Sequence, residues 1–202
     1  VSSATYDSVS FNHKTACTED SVRDLVFKPD GTKLYITGSG TDSVYEFDLS
    51  SAWDLSTTTY SSVNLSVSSQ DVSPNGLALS ADGLRVFIIG STAPDAVHQY
   101  DLSTAWDLST ATYNNVQFVV STQEAVPLSM LFNPDGTKMY VCGTTDKVFE
   151  YDLSTGFDVS TAAYNNVFAS ISPDPAGMTL SSDGRKMYFL NYSNDVVYTY
   201  SV

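Results

Sequence analysis

Short apolar runs punctuate this chain, each closed by a turn and followed by a segment in which apolar and polar positions alternate. The runs are Leu25-Val26-Phe27, Leu77-Ala78-Leu79, Met130-Leu131-Phe132 and Met178-Thr179-Leu180. Near-continuous apolarity over so few residues predicts strands buried on both faces. An Asp-Gly pair follows each run, at Asp30-Gly31, Asp82-Gly83, Asp135-Gly136 and Asp183-Gly184, where glycine supplies the positive φ of a tight hairpin. Second strands are expected at Leu34-Tyr35-Ile36, Val86-Phe87-Ile88, Met139-Tyr140-Val141 and Met187-Tyr188-Phe189. Third strands, alternating and rich in β-branched and aromatic residues, are expected at Val44–Phe47, Val97–Tyr100, Val148–Tyr151 and Val197–Tyr200.

Each third strand runs into a recurring phrase: Phe47-Asp48-Leu49-Ser50, Tyr100-Asp101-Leu102-Ser103, Tyr151-Asp152-Leu153-Ser154 and a clipped Tyr200-Ser201-Val202. A longer connection bearing Trp53, Trp106 or Phe157 then leads to a fourth strand opening at Tyr60, Tyr113 or Tyr164. The Asp-Gly turns lie 52, 53 and 48 residues apart, a period that belongs to stacked or radial β repeats. The last repeat stops without an outer strand, and Tyr6-Asp7-Ser8-Val9-Ser10-Phe11 carries that strand's pattern at the other end of the chain.

The expected architecture is therefore all-β: a four-bladed β-propeller of four-stranded antiparallel blades, closed by the N-terminal strand completing the last blade. Blade 1 covers about 21–66, blade 2 about 73–119, blade 3 about 127–170, and blade 4 about 175–202 plus 4–12. Closure of that kind removes an exposed sheet edge. Two rivals stay open: a linear β-solenoid, and a half-ring that pairs with a second copy to make eight blades.

The segment Phe132-Asn133-Pro134-Asp135-Gly136-Thr137-Lys138-Met139-Tyr140-Val141, with Asp146-Lys147-Val148-Phe149-Glu150-Tyr151-Asp152-Leu153-Ser154 after it, resembles YVTN-type β-propeller repeats. The loop carrying Trp53, Trp106 or Phe157 is similar to tandem repeats of phage structural proteins and of bacterial or marine surface proteins. The resemblance implies the propeller fold and an extracellular or virion-associated setting rather than a cytoplasmic one. Propeller scaffolds serve many functions, so it implies little about activity.

Charge narrows the partners. With 23 acidic and 9 basic residues the net charge is −14, which disfavours phosphate backbones and anionic membrane surfaces. Nucleic-acid binding and membrane insertion are not expected, and no apolar stretch is long enough for a transmembrane helix. The chain opens on Val1, as an excised or processed segment would. Cys17 and Cys142 fall in different blades and are expected as free, buried thiols.

The candidate chemistry lies on one rim. Glu19, Asp71, Glu124 and Asp174 precede the inner strands, one acid per repeat, and Asp42, Asp95, Asp146 and Asp195 occupy hairpin loops on the same side. Arg23, Asp24 and Asn75 sit nearest the mouth and break the fourfold pattern. A protein, glycan or cation ligand is expected at Glu19, Arg23, Asp24, Asp71, Asn75, Glu124 and Asp174. Calcium is the one cofactor considered, with Glu19, Asp71, Glu124 and Asp174 as its ligands. Repetition of an acid in every blade equally fits a turn requirement of the fold.

On the opposite face Lys33, Arg85, Lys138 and Lys186 form a column beside Asp48, Asp101 and Asp152, and Trp53, Trp106 and Phe157 are expected as plugs against the blade edge. His98 aligns with Tyr45, Phe149 and Tyr198, so it is read as a core aromatic rather than a general base. No nucleophile elbow, zinc cluster or phosphate loop is present, so no catalytic residue is assigned. The expected function is a non-enzymatic binding or structural module, monomeric or dimeric. The alternatives are a metal-dependent lactonase-like propeller hydrolase and an oligomerisation scaffold forming an eight-bladed dimer.

Overall fold

In the computed structural model, which describes residues 6–171 and 173–202, the repeats fold as the pattern predicts. Blade 1 is β1 (Val22–Phe27), β2 (Lys33–Gly38), β3 (Ser43–Leu49) and β4 (Thr58–Ser66). Blade 2 is β5 (Pro74–Leu79), β6 (Arg85–Gly90), β7 (Ala96–Leu102) and β8 (Ala111–Val119). Blade 3 is β9 (Pro127–Phe132), β10 (Lys138–Gly143), β11 (Lys147–Leu153) and β12 (Ala162–Ser170). Blade 4 is β13 (Pro175–Leu180), β14 (Lys186–Asn191) and β15 (Val196–Ser201). Every blade is an antiparallel meander, and the chain is a four-bladed β-propeller with blades of three or four strands.

Blades stack through alternate side chains of their middle strands. Val86 and Ile88 face blade 1, where they meet Tyr35 and Val44. Phe87 and Ile89 face blade 3 and meet Met139 and Val141. One strand thus serves two cores, which is why it reads as continuously apolar. The inner strands pack in sequence, β1 on β5, β5 on β9 and β9 on β13. Polar links reinforce the stack. Glu46 Oε2 accepts from the Leu108 amide at 2.9 Å, and Gln99 Oε1 accepts from the Val159 amide at 3.1 Å, each joining one blade to the next blade's plug.

Those plugs are the predicted aromatics. Trp53, Trp106 and Phe157 all adopt positive φ, and their amides donate to Gly31, Gly83 and Gly136. A Cβ at Gly83 would lie 2.2 Å from the Trp106 ring, so glycine is required there by space as well as by its φ of 73°. The Asp-Gly turns carry their own brace: Asp30 Oδ1 accepts from the Thr32 amide at 3.0 Å, and Asp82, Asp135 and Asp183 repeat the bond.

The N-terminal closure needs correction. Residues 4 and 5 lie outside the described residues, and Tyr6–Phe11 forms no strand with β15. Instead Phe11 packs edge-on against Phe47 of blade 1 at 5.1 Å, and a one-turn helix, α1 (His13–Ala16), follows with Asn12 as its cap. The physical reason lies in which blade each partner belongs to: Phe11, Ala16 and Cys17 cover a cluster of Leu34, Ile36, Phe47 and Leu49 on blade 1, and β13 does not pack on β1 as the other inner strands pack on one another, so blade 4 does not come alongside the segment. Fifteen strands are seen among the described residues, not sixteen.

Candidate functional site

The rim acids divide into two kinds. Glu19, Asp71 and Glu124 are fully buried. Glu19 accepts from the amides of Ser21, Gly40 and Thr41 and from the Thr41 hydroxyl, at 2.6–3.1 Å. Asp71 accepts from Ser73 and Thr92, and Glu124 from Val126, Thr144 and Thr145, in the same arrangement. Each carboxylate ties the inter-blade connection to the hairpin loop of its own blade and lies against a glycine. A Cβ at Gly38, Gly90 or Gly143 would come within 2.7 Å of the carboxylate carbon. Burial raises the Glu19 pKa, and the amide and hydroxyl bonds outweigh it, so the net shift is downward.

Asp174 is different. It is exposed, adopts a φ of 56°, and its amide donates to Asp146 Oδ1 at 3.0 Å. Strand register aligns Pro175 with Val22, Pro74 and Pro127, so the position matching Glu19 is 172, which lies outside the described residues. Asn191 stands where the other blades have the paired glycine, and its amide reaches Pro173 O. The four acids assigned to calcium therefore do not converge, and among the described residues no three His, Cys, Asp or Glu side chains are placed to share a metal ion.

What does converge is a smaller group at the mouth. Arg23, Asn75, Thr144, Asp174 and Tyr192 line one cavity of about 370 Å³, floored by Val22, Leu128, Pro175 and Ala176. Every blade contributes, because the first residues of the inner strands meet there. Asn75 Nδ2 donates to Pro127 O at 3.0 Å, and Arg23 Nε to Ser39 Oγ at 3.3 Å. Among the described residues Arg23 has no carboxylate within ion-pair distance. Tyr192 was not anticipated. It occupies the position of Ser39, Ser91 and Thr144, and an aromatic in a column of small hydroxyls was the signal available.

Asp24 lies deeper, on a second cavity of about 600 Å³ lined by the inner strands of all four blades. Its carboxylate accepts from the Leu77 and Leu25 amides at 2.9 and 2.8 Å. Burial lifts its pKa to about 6 against those bonds.

On the far face the basic column is paired. Lys33 bridges Glu46 and Asp48, Arg85 meets Asp101, Lys138 bridges Glu150 and Asp152, and Lys186 reaches Ser201 where the phrase is clipped. His98 is buried with its Nδ1 3.3 Å from the Tyr113 hydroxyl and its pKa lowered by burial, the environment of a core aromatic. Cys17 and Cys142 are free and buried.

No family model matches the chain, and no curated protein matches it. Solved structures do. Two Bacteroides proteins, each described as a putative 6-phosphogluconolactonase, superpose with TM-score 0.62: that of B. uniformis at 15% identity and that of B. fragilis at 14%. The match covers 89% of this chain and 50% of each of theirs. A chain in the crystal structure of a mitotic checkpoint complex matches with TM-score 0.60 and 15% identity, over 90% of this chain and 49% of that one. At such identities the likeness shows the β-propeller fold alone, and the chain spans about half the length of the structures it matches.

Proposed function

We propose that the chain is a non-enzymatic binding module that seats a glycan at the mouth of its channel. The mouth cavity supports the reading. Arg23, Asn75 and Thr144 supply hydrogen-bonding groups, Asp174 an acceptor carboxylate and Tyr192 an exposed ring, drawn from all four blades into 370 Å³. Sugars present hydroxyls that need such donors and acceptors, and C–H faces that pack on aromatic rings. The three buried rim acids are excluded from ligand contact because backbone amides already occupy their oxygens.

A glycan array followed by calorimetry tests this. Arg23→Ala and Tyr192→Ala each weaken the selected glycan at least tenfold, with an unchanged melting temperature. Binding that ignores both substitutions, or an array without a ligand, overturns the reading, and a ligand found only among proteins replaces it.

The second reading is a lactonase-like hydrolase. It is favoured by the functions given for the two Bacteroides proteins and by Asp24, a carboxylate with a pKa near 6 on the channel wall. Hydrolysis of a sugar lactone, lost in Asp24→Asn, supports it, and assays with calcium and with EDTA show whether a metal takes part.

A further inference from the structure

We propose that two copies of this chain close one eight-bladed ring, each copy's Tyr6–Phe11 serving as the missing outer strand of the other's blade 4. The segment already has that strand's shape. Outer strands β4, β8 and β12 carry a bulge two residues beyond Tyr60, Tyr113 and Tyr164, at Ser62, Asn115 and Asn166, with φ of 65°, 60° and 63°. Ser8, the third residue of Tyr6-Asp7-Ser8, has φ 59°.

The segment also has that strand's position relative to the blade after it. Phe118, five residues beyond Tyr113, crosses from blade 2 to pack edge-on against Tyr151 of blade 3, at 5.3 Å and 76°. Phe11, five residues beyond Tyr6, meets the matching Phe47 of blade 1 at 5.1 Å and 74°. Tyr6–Phe11 is thus built and placed as the outer strand of a blade preceding blade 1.

No blade of this chain stands there. β13 does not pack on β1 as the other inner strands pack on one another. Both flanking surfaces are left apolar and open. Leu190 and Val197 of blade 4 are 49% and 62% exposed, whereas Ile89 and Val97, at the same positions of blade 2, are fully buried. Leu25 of blade 1 is 54% exposed, against 2% for Leu77. Apolar positions on blade faces left open in this way call for another blade.

The missing blade must lack its own outer strand and accept Tyr6. Blade 4 of a second copy meets both conditions. Own-blade stacking gives the register: Tyr60 opposes Phe47, Tyr113 opposes Tyr100 and Tyr164 opposes Tyr151. By the same register Tyr6, 75% exposed in the single chain, opposes Tyr200 of the second copy, and Val9 opposes Thr199. Applied twice, the exchange forms a closed twofold ring in which all eight blades have four strands.

Light scattering of the full chain reads twice 21.9 kDa if the ring forms. Val197→Asp, on a side chain already in solvent, reduces that mass to a single chain while circular dichroism stays the same. The pair Val9→Cys and Thr199→Cys, carried on separate chains and mixed, gives a disulfide-linked dimer on oxidation. A wild-type mass of one chain overturns the proposal, as does a larger open polymer. A crosslink within one chain in the double variant overturns it too, by showing that the chain closes on itself.

Discussion

Glu124 and Gly143 fit together as a single unit: a Cβ at Gly143 would fall 2.6 Å from the Glu124 carboxyl carbon and 2.2 Å from Val126 O. The carboxylate in turn holds the amides of Val126 and Thr145. Removing the acid leaves buried donors unmet. Glu124→Ala is expected to lower stability by about 2–4 kcal/mol, and Gly143→Ala by a similar amount through overlap. Urea denaturation of the two variants and their double mutant measures both. Near-additive losses would contradict a shared unit.

Glu46→Gln should leave stability within about 1 kcal/mol of the parent, because Gln99 performs the same task one blade later, accepting from Val159. Glu46→Ala should cost about 2–3 kcal/mol, since the buried Leu108 amide then has no acceptor. Thermal melts of the pair check the contrast.

Two carboxylates set opposite slopes in the pH dependence. Asp24 has its pKa raised from 3.8 to about 6, so its contribution is greatest below pH 3.8 and is lost as pH rises toward 6. Glu19 is shifted below 4.5, so its contribution is present above that value and is lost as pH falls through the lowered pKa. Asp24→Asn should flatten the decline between pH 4 and 6, an effect of up to about 3 kcal/mol, and Glu19→Gln should flatten the acid limb. Chemical denaturation across pH 3 to 7 reads both.

Burial pushes the Cys142 thiol up to about 12, and Cys17 is shifted in the same direction. Neither should react with a thiol reagent at pH 8 while folded, and both should react in 6 M guanidinium. Reaction of Cys17 alone in the native state would show that α1 opens.

Most of the fold was legible because each repeat marks the same strand boundaries with the same residues, Asp-Gly for the first turn and aromatic-Asp-Leu for the end of the third strand. The plugs were legible for the same reason. The rim was less so. Residue type showed acids at a common offset, but whether a carboxylate faces solvent or its own loop depends on the amides around it, and for Glu19, Asp71 and Glu124 those amides hold it inside. Asp174 looked like a fourth member only because the connection before β13 is three residues shorter than those before β5 and β9, which sets Asp174 at the position of Ser73 and Val126. The N-terminal segment carries an outer strand's residue pattern, and Ser8 shares the positive φ of Ser62, Asn115 and Asn166, but the segment forms no strand. What the sequence could not show is that β13 does not pack on β1, so the segment seated on blade 1 does not meet its own chain's blade 4.

The junctions of blade 1 with blade 2 and of blade 2 with blade 3 each pair a side-chain acceptor, Glu46 or Gln99, with an amide of the next blade's plug loop, Leu108 or Val159. This hook-and-eye joint uses the same backbone geometry every time and depends on nothing beyond the adjoining unit. Added or deleted repeats would find the fitting already in place, so an array of this design can change its blade number by duplication without inventing a new junction.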